Sequence, residues 1–134
     1  MGAGLNQMND TADLPDADDH DFHLAVEPLS DHASVVSVGG ELDLSTVPAL
    51  RGALTGALDR GITRLVVDLT NVTFVDSVGV GAILHTKRRL GADGVLAVVL
   101  APSTYALVIF DVVGADAVVE VFETRAEAAA RVAA

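Results

Sequence analysis

The sequence lacks cysteine altogether, which excludes disulfide bonds, thiolate nucleophiles and cysteine-ligated zinc sites. Tryptophan is absent too, and aromatic residues make up 4% of the chain against 51% for hydrophobic residues as a class. The core must therefore be built from aliphatic side chains. No apolar run approaches the roughly 18 residues that cross a bilayer, and no basic segment followed by an apolar one marks the N-terminus. These absences predict a cytoplasmic protein that contacts no membrane.

Positive charge is scarce, since 8 lysines and arginines face 19 aspartates and glutamates and give a formal net charge of -11. Such a chain would approach phosphate backbones against like charge, so direct binding of nucleic acid is not expected. Residues 1–21 hold six aspartates and no lysine or arginine. Their few apolar residues cannot offset the entropy of ordering. We therefore predict an acidic disordered tail at residues 1–21 and one domain at residues 22–134.

The remaining residues alternate between strand and helix signals. Phe22, Leu24 and Val26 lie on alternate positions and predict a half-buried strand, which pairs as a hairpin with a second strand ended by Gly39–Gly40. The later predicted elements are a helix capped by Ser45, a central strand at residues 64–69, a helix at 77–90, a strand at 94–100, a helix opened by Pro102 and Ser103 that runs to Val113, a strand at 118–122, and a C-terminal helix with a Thr124–Glu127 capping box. This order predicts an α/β fold with a mixed, mainly parallel sheet of about five strands and about four helices.

A group of polar and small residues stands where the central strand gives way to the second helix, at residues 73–81. Open α/β sheets place functional loops at this edge. Asp76 or Ser77 could simply cap the helix, a role worth about 0.5 to 2 kcal/mol. Gly79 and Gly81 each cost a helix about 0.8 to 1.0 kcal/mol relative to alanine, and the sequence indicates no packing benefit in return. We therefore expect another surface to approach this first turn.

Residues 68–90 resemble the central motif of STAS domains, in particular those of bacterial anti-sigma factor antagonists. The family pattern Asp-Ser-Ser/Thr-Gly-Leu-Gly corresponds here to Asp76-Ser77-Val78-Gly79-Val80-Gly81. The segment Gly40-Glu41-Leu42-Asp43 is similar to that family's Gly-Glu-Leu-Asp strand end. Val78 departs from the pattern, because a second Ser or Thr is common at its position. The resemblance extends over residues 22–134.

The resemblance implies a phosphoprotein that regulates transcription without catalysis of its own. In this family the serine after the aspartate is phosphorylated by a partner that is both a serine kinase and an anti-sigma factor, and by position this is Ser77. The unphosphorylated form docks to that partner and releases a sigma factor, whereas the phosphorylated form does not. The implied partner surface consists of Asp76, Ser77, Val78 and Gly79, with Asp43 at its flank.

Enzymatic motifs are missing around these residues. Val75 stands where a hydrolase elbow needs glycine before Ser77. Lys87, the single lysine, is not part of a phosphate-binding loop, and residues 79–81 lack the third glycine of a dinucleotide fingerprint. The histidines lack metal-ligand spacing, so we expect neither a metal nor a cofactor. These histidines are His20, His23, His32 and His85.

Two other classes of function stay open from the sequence. The chain could be a STAS scaffold module in a stressosome or a transporter-associated complex, with Ser77 serving only as a cap. It could also be a small nucleotide-binding or enzymatic domain, which would bind ATP or GTP without a partner. The mean hydropathy of +0.47 is compatible with an exposed apolar patch, used either for a homodimer or for partner docking.

Overall fold

The computed structural model describes residues 21–102 and 105–133, and a five-stranded sheet lies at its centre. The predicted tail, residues 1–20, lies outside the described residues. The strands are β1 (His23–Pro28), β2 (Ala33–Leu42), β3 (Arg64–Val75), β4 (Val95–Val99) and β5 (Glu120–Phe122), and they lie side by side in chain order. β1 pairs antiparallel with β2, and the other neighbours pair in parallel. The predicted α/β class and the initial hairpin are confirmed.

Three helices cover one face of the sheet. The helices of the fold are α1 (Val47–Asp59), α2 (Ser77–Leu90), α3 (Tyr105–Val112) and α4 (Arg125–Ala133). Each of the first three connects a parallel strand to the next, and right-handed crossovers in one direction put them on the same side. Leu50, Ile83 and Phe110, one from each helix, are fully buried against strand residues such as Val67 and Leu96. This larger core is almost entirely aliphatic, as the composition predicts.

Helix α4 packs alone on the opposite face. Its Ala128 and Val132 contact Val35, Val66 and Val99 in a smaller, separate core. The helix starts with the predicted capping box, which is confirmed by two reciprocal bonds. The Thr124 backbone N–H donates to Glu127 Oε1 at 3.3 Å, and the Glu127 backbone N–H donates to Thr124 Oγ1 at 3.2 Å.

Arg125 ties the start of α4 to three strands. Its Nε donates to Asp68 Oδ2 on β3 at 2.9 Å, and its Nη1 donates to Glu27 Oε1 on β1 at 3.3 Å. Its Nη2 also donates to the Ser37 hydroxyl on β2. Asp68 is only 8% exposed and accepts a further bond from the Thr70 backbone N–H at 2.9 Å. Asp68 therefore lies within β3 and anchors the start of α4.

Strand β2 continues beyond its predicted end. Gly39–Gly40 does not terminate it, because register irregularities at these glycines let the strand run on to Leu42. Gly40 has a φ of +87°, and a Cβ on it would lie 2.5 Å from the backbone oxygen of Asp21, so only glycine fits there. β3 likewise extends to Val75, well past its predicted end. The paired extensions form the sheet edge from which α2 begins.

Pro102 lies in a turn ahead of helix α3, and the predicted opening at Ser103 lies outside the described residues. Strand β5 begins at Glu120, later than its predicted start at residue 118. A short 3-10 helix, Ala115–Ala117, occupies the approach to β5. The Val118 backbone N–H bonds to the Ala115 carbonyl at 2.9 Å, so this residue completes a turn instead of opening the strand.

We predict that Asp68→Asn destabilises the protein by about 1 to 2 kcal/mol at pH 7, because it leaves Arg125 without its buried charged partner. Burial raises the pKa of the Asp68 carboxyl, but bonds from Thr70 and the charge of Arg125 outweigh this and hold the pKa below its ordinary value. A carboxyl whose pKa is lower in the folded state stabilises the fold above the unfolded pKa of about 4 and stops doing so as the pH falls through the folded value. Chemical denaturation between pH 7 and pH 3 should therefore show a shallower stability loss for the variant than for the wild type.

Asp59→Asn is the matched control for this experiment. Asp59 faces Arg89 at 3.5 Å with both side chains largely exposed, and such pairs contribute about 0 to 1 kcal/mol. Equal stability and equal pH dependence of the two variants would contradict the role assigned to Asp68.

Candidate functional site

The ends of β2 and β3 lie side by side and bring two aspartates to one edge of the sheet. Leu42 pairs with Val75, and the Asp76 backbone N–H donates to the Leu42 carbonyl at 3.2 Å. Asp43 and Asp76, which follow these paired residues, therefore open neighbouring connections. This is the carboxyl edge of the parallel strands, where α/β sheets carry their functional loops.

Asp76 is the N-cap of helix α2. Its backbone is extended, and its Oδ1 accepts the N–H of Val78 at 3.0 Å and that of Gly79 at 3.1 Å. These are two of the orphan donors that every helix start leaves unpaired. Of the two cap candidates in the sequence, the aspartate takes the role and the serine does not.

Ser77 is the first residue of α2 and is exposed to solvent. Because Asp76 supplies the cap, the Ser77 hydroxyl is not required for it, and it makes no hydrogen bond within residues 21–102 and 105–133. Its position at a helix N-terminus suits an anion, since the unpaired N–H groups and the helix dipole both favour negative charge there. The hydroxyl is thus accessible and chemically uncommitted.

The glycines of the first turn have different roles. Gly79 is buried, and a Cβ on it would lie 2.9 Å from Leu42 Cγ and 3.0 Å from Val75 Cγ2. The expectation that neither glycine benefits packing is therefore wrong for Gly79, which lets α2 sit directly on the two strand ends. A Cβ on Gly81 would meet no atom within 4 Å, so this glycine leaves room on the outer side. Val78 directly precedes Gly79 and is half-buried against the larger core.

Asp43 organises the loop that leads into α1. Its Oδ1 accepts the Ser45 hydroxyl at 2.8 Å, the Ser45 backbone N–H at 3.0 Å and the Thr46 backbone N–H at 3.2 Å. The Ser45 hydroxyl bond, together with these backbone bonds, holds the pKa of Asp43 below its ordinary value against a smaller opposing effect of burial. Ser45 is not the helix cap that the sequence predicts, because Thr46 occupies that position. Asp43 is therefore a fixed, ionised carboxylate beside the start of α2.

The sequence did not point to the exposed apolar residues around this edge. Leu44 follows Asp43 and is largely exposed. The Phe74 ring, near the end of β3, stacks on Tyr105 at the start of α3 with ring centroids 5.7 Å apart and an interplanar angle of 12°. In a chain with few aromatic residues, one at the end of β3 and one after the neighbouring strand β4 were the available signal. Their contact connects the Ser77 edge to α3.

The part of the chain that the structure describes has no group of three His, Asp or Glu side chains arranged to hold a metal. Among those residues, no helix is both long and apolar enough to traverse a bilayer.

Comparison with known proteins identifies the family. The STAS domain model matches residues 26–128, and these residues include the whole edge described above. The chain belongs to the STAS domain family. The resemblance inferred from the Asp76-Ser77 motif is confirmed, and the fold is the one that this family shares.

Solved structures of anti-sigma factor antagonists share this architecture. The crystal structure of an anti-sigma factor antagonist from Mycobacterium paratuberculosis matches with a TM-score of 0.77 and 31% identity, over 88% of this STAS protein and 98% of that chain. The antagonist SpoIIAA in its unphosphorylated form matches with a TM-score of 0.71 and 26% identity, over 83% and 96% of the two chains. The phosphorylated form of Bacillus SpoIIAA matches with a TM-score of 0.62 and 26% identity, over 82% and 99%.

Curated relatives match over a shorter segment. The anti-sigma-B factor antagonist of Staphylococcus aureus (strain NCTC 8325 / PS 47) is 41% identical over 58 residues, which is 43% of this chain and 54% of that protein. The aligned segment thus spans about half the length of the curated relatives it matches.

We predict opposite effects on stability for alanine at the two glycines of α2. Gly79→Ala should lower the free energy of unfolding by about 1 to 3 kcal/mol, because the new methyl group clashes with the buried Leu42 and Val75 side chains. Gly81→Ala should raise it by up to about 1 kcal/mol, because alanine favours the helix and meets no neighbour. Thermal and chemical denaturation of the two variants measure both effects. A stable Gly79→Ala variant would contradict the close packing of α2 on the strand ends.

Proposed function

We propose that this STAS protein is an anti-sigma factor antagonist controlled by phosphorylation of Ser77. Its unphosphorylated form docks, in the cytoplasm, to an anti-sigma factor with serine kinase activity and so releases a sigma factor. The observation that carries the proposal is the exposed Ser77 hydroxyl at the first position of α2, with Asp76 supplying the helix cap in its place. The names of its relatives support it, as does SpoIIAA, which has been solved in phosphorylated and unphosphorylated forms.

The position of Ser77 lets a phosphate change binding without unfolding the domain. A phosphoryl group adds about -1.5 to -2 charges and three acceptor oxygens, and the unpaired N–H groups at the start of α2 accommodate negative charge. The same charge is costly where a partner covers it, because an unpaired buried charge costs several kcal/mol. Since each 1.4 kcal/mol changes affinity about tenfold, the complex is far more sensitive to the phosphate than the fold is.

The chain's own contribution is recognition, and the phosphoryl transfer belongs to the partner. Local hydrogen bonds hold the carboxylates of Asp43 and Asp76 in place at the edge that carries Ser77. The packing of Val78 and Gly79 sets the distance between the first turn of α2 and the sheet. The main rival is a scaffold module in which Ser77 only caps a helix. The cap formed by Asp76 favours the switch, because it removes the structural reason for a serine at this position.

Phosphorylation and docking can be tested with the anti-sigma factors encoded in the same genome, purified one by one. Incubation with the cognate partner and ATP should add the mass of one phosphoryl group to the wild type and none to Ser77→Ala. Ser77→Asp should bind that partner at least tenfold more weakly than the wild type, because the carboxylate would be buried without a counter-charge. Intact-mass spectrometry and calorimetry measure the two effects.

Ser30→Asp is the matched control. Ser30 is also exposed but lies in the β1–β2 turn, at the opposite end of the sheet, where its hydroxyl accepts the N–H groups of His32 at 3.2 Å and Ala33 at 3.1 Å. An aspartate can accept the same bonds, so this variant should bind like the wild type. Phosphate incorporation into Ser77→Ala, or wild-type affinity of Ser77→Asp for every such anti-sigma factor, would overturn the proposal.

A further inference from the structure

Helix α3 exposes an apolar face that no element of the described chain covers. Tyr105, Val108 and Val112 are three and seven residues apart, so they lie on one side of the helix. Together with Phe74 they form what we term the α3 surface, and each of the four is at least 39% exposed. Monomeric proteins seldom leave such residues contiguous unless another molecule binds them.

The α3 surface is continuous with the edge that carries Ser77. Phe74 stacks on Tyr105 and lies in the same strand end that leads through Val75 to Asp76. From Tyr105 the helix rises 1.5 Å per residue, so Val112 lies about 10 Å further along. A molecule seated over Ser77 and large enough to bury a protein interface therefore reaches α3 without leaving the surface.

The charges around the α3 surface indicate what covers it. Helix α3 has no lysine or arginine, and its single charged residue is Asp111. Glu41, which pairs with Phe74 across the strands, is exposed and also acidic. With a formal net charge of -11, a second copy of the chain would bring like charge to this rim. A partner with apolar side chains bordered by lysine or arginine is complementary to it.

We infer that the α3 surface is a second docking surface for the anti-sigma factor, which contributes an apolar segment flanked by basic side chains. The inference rests on the proposed function and gives the anti-sigma factor a second contact, at the α3 surface. Phosphorylation of Ser77 changes one end of the interface, while the α3 surface supplies apolar contact at the other. Affinity and switching thus reside in different residues of one interface.

The test compares Val112→Asp with Val26→Asp for binding of the unphosphorylated protein to the purified anti-sigma factor. Both valines are exposed, 73% and 41% respectively, but Val26 lies on the far edge strand β1, across the sheet from α3. Val112→Asp should weaken binding at least tenfold by calorimetry, and Val26→Asp by less than threefold. Asp111→Asn should weaken binding less than Val112→Asp does, and it should make the affinity less dependent on salt concentration. Circular dichroism melts check that each variant is folded.

The outcomes separate this inference from the proposed function when Ser77→Asp is measured beside these variants. If Val112→Asp binds with wild-type affinity, the docking role of the α3 surface is overturned. If Ser77→Asp fails to bind in the same experiment, the proposed control of binding by Ser77 is still supported. Loss of binding in Val112→Asp with full binding of Ser77→Asp supports the surface and overturns the switch. Unchanged partner affinity combined with a dimer that dissociates on Val112→Asp, seen by sedimentation, would show that a second copy covers the surface and would overturn the inference.

Discussion

The backbone hydrogen bond from Asp76 to the Leu42 carbonyl fixes the end of β3 beside the end of β2, and the candidate site depends on this register. It places Asp43 next to the start of α2. It also positions the Leu42 side chain, which packs over Gly79 and so sets the distance of the helix from the sheet. A slip of one residue in either strand would turn these side chains to the other face and dismantle the site without removing any residue from it.

At the start of α2, one residue has the structural role and its neighbour carries the hydroxyl that is accessible to modification. Asp76 satisfies the orphan N–H groups of Val78 and Gly79, so the first turn of α2 is stable whatever happens to its neighbour. The Ser77 hydroxyl makes no hydrogen bond to that turn within the described residues, and the residue is exposed. A serine that also capped its helix would be modified only by breaking the cap, which costs about 0.5 to 2 kcal/mol. Separation of the two roles lets the hydroxyl be changed without a penalty to the fold.

Local patterns in the sequence predict the helices well and the strand ends poorly. The bounds of α2 and the Thr124–Glu127 capping box follow from residues within a few positions of each other, and both are confirmed. The continuation of β2 through Gly39–Gly40 follows from bulges that depend on its partner strand. The Asp68–Arg125 pair and the packing of Gly79 on Leu42 join residues far apart in the chain. Contacts between residues far apart in the chain leave no periodic pattern in the sequence. The motif at the start of α2 could therefore be found from the sequence, whereas the long-range contacts that hold it in place could not.

Under the proposed function, the acidity of the edge that carries Asp43, Asp76 and Ser77 constrains how a phosphate at Ser77 would act. A partner with basic side chains attracts this edge from a distance, and more negative charge would strengthen that attraction within a screening length of about 8 Å. Long-range repulsion therefore cannot account for release of a basic partner. In the proposed switch, loss of binding would then have to come from contact, where the partner covers the first turn of α2 and removes water from the phosphate on Ser77. Gly81 has open space where its Cβ would be, which would let the proposed partner approach that closely. Exclusion would then act through the cost of desolvating the phosphate, while the acidic side chains would still attract the partner from a distance.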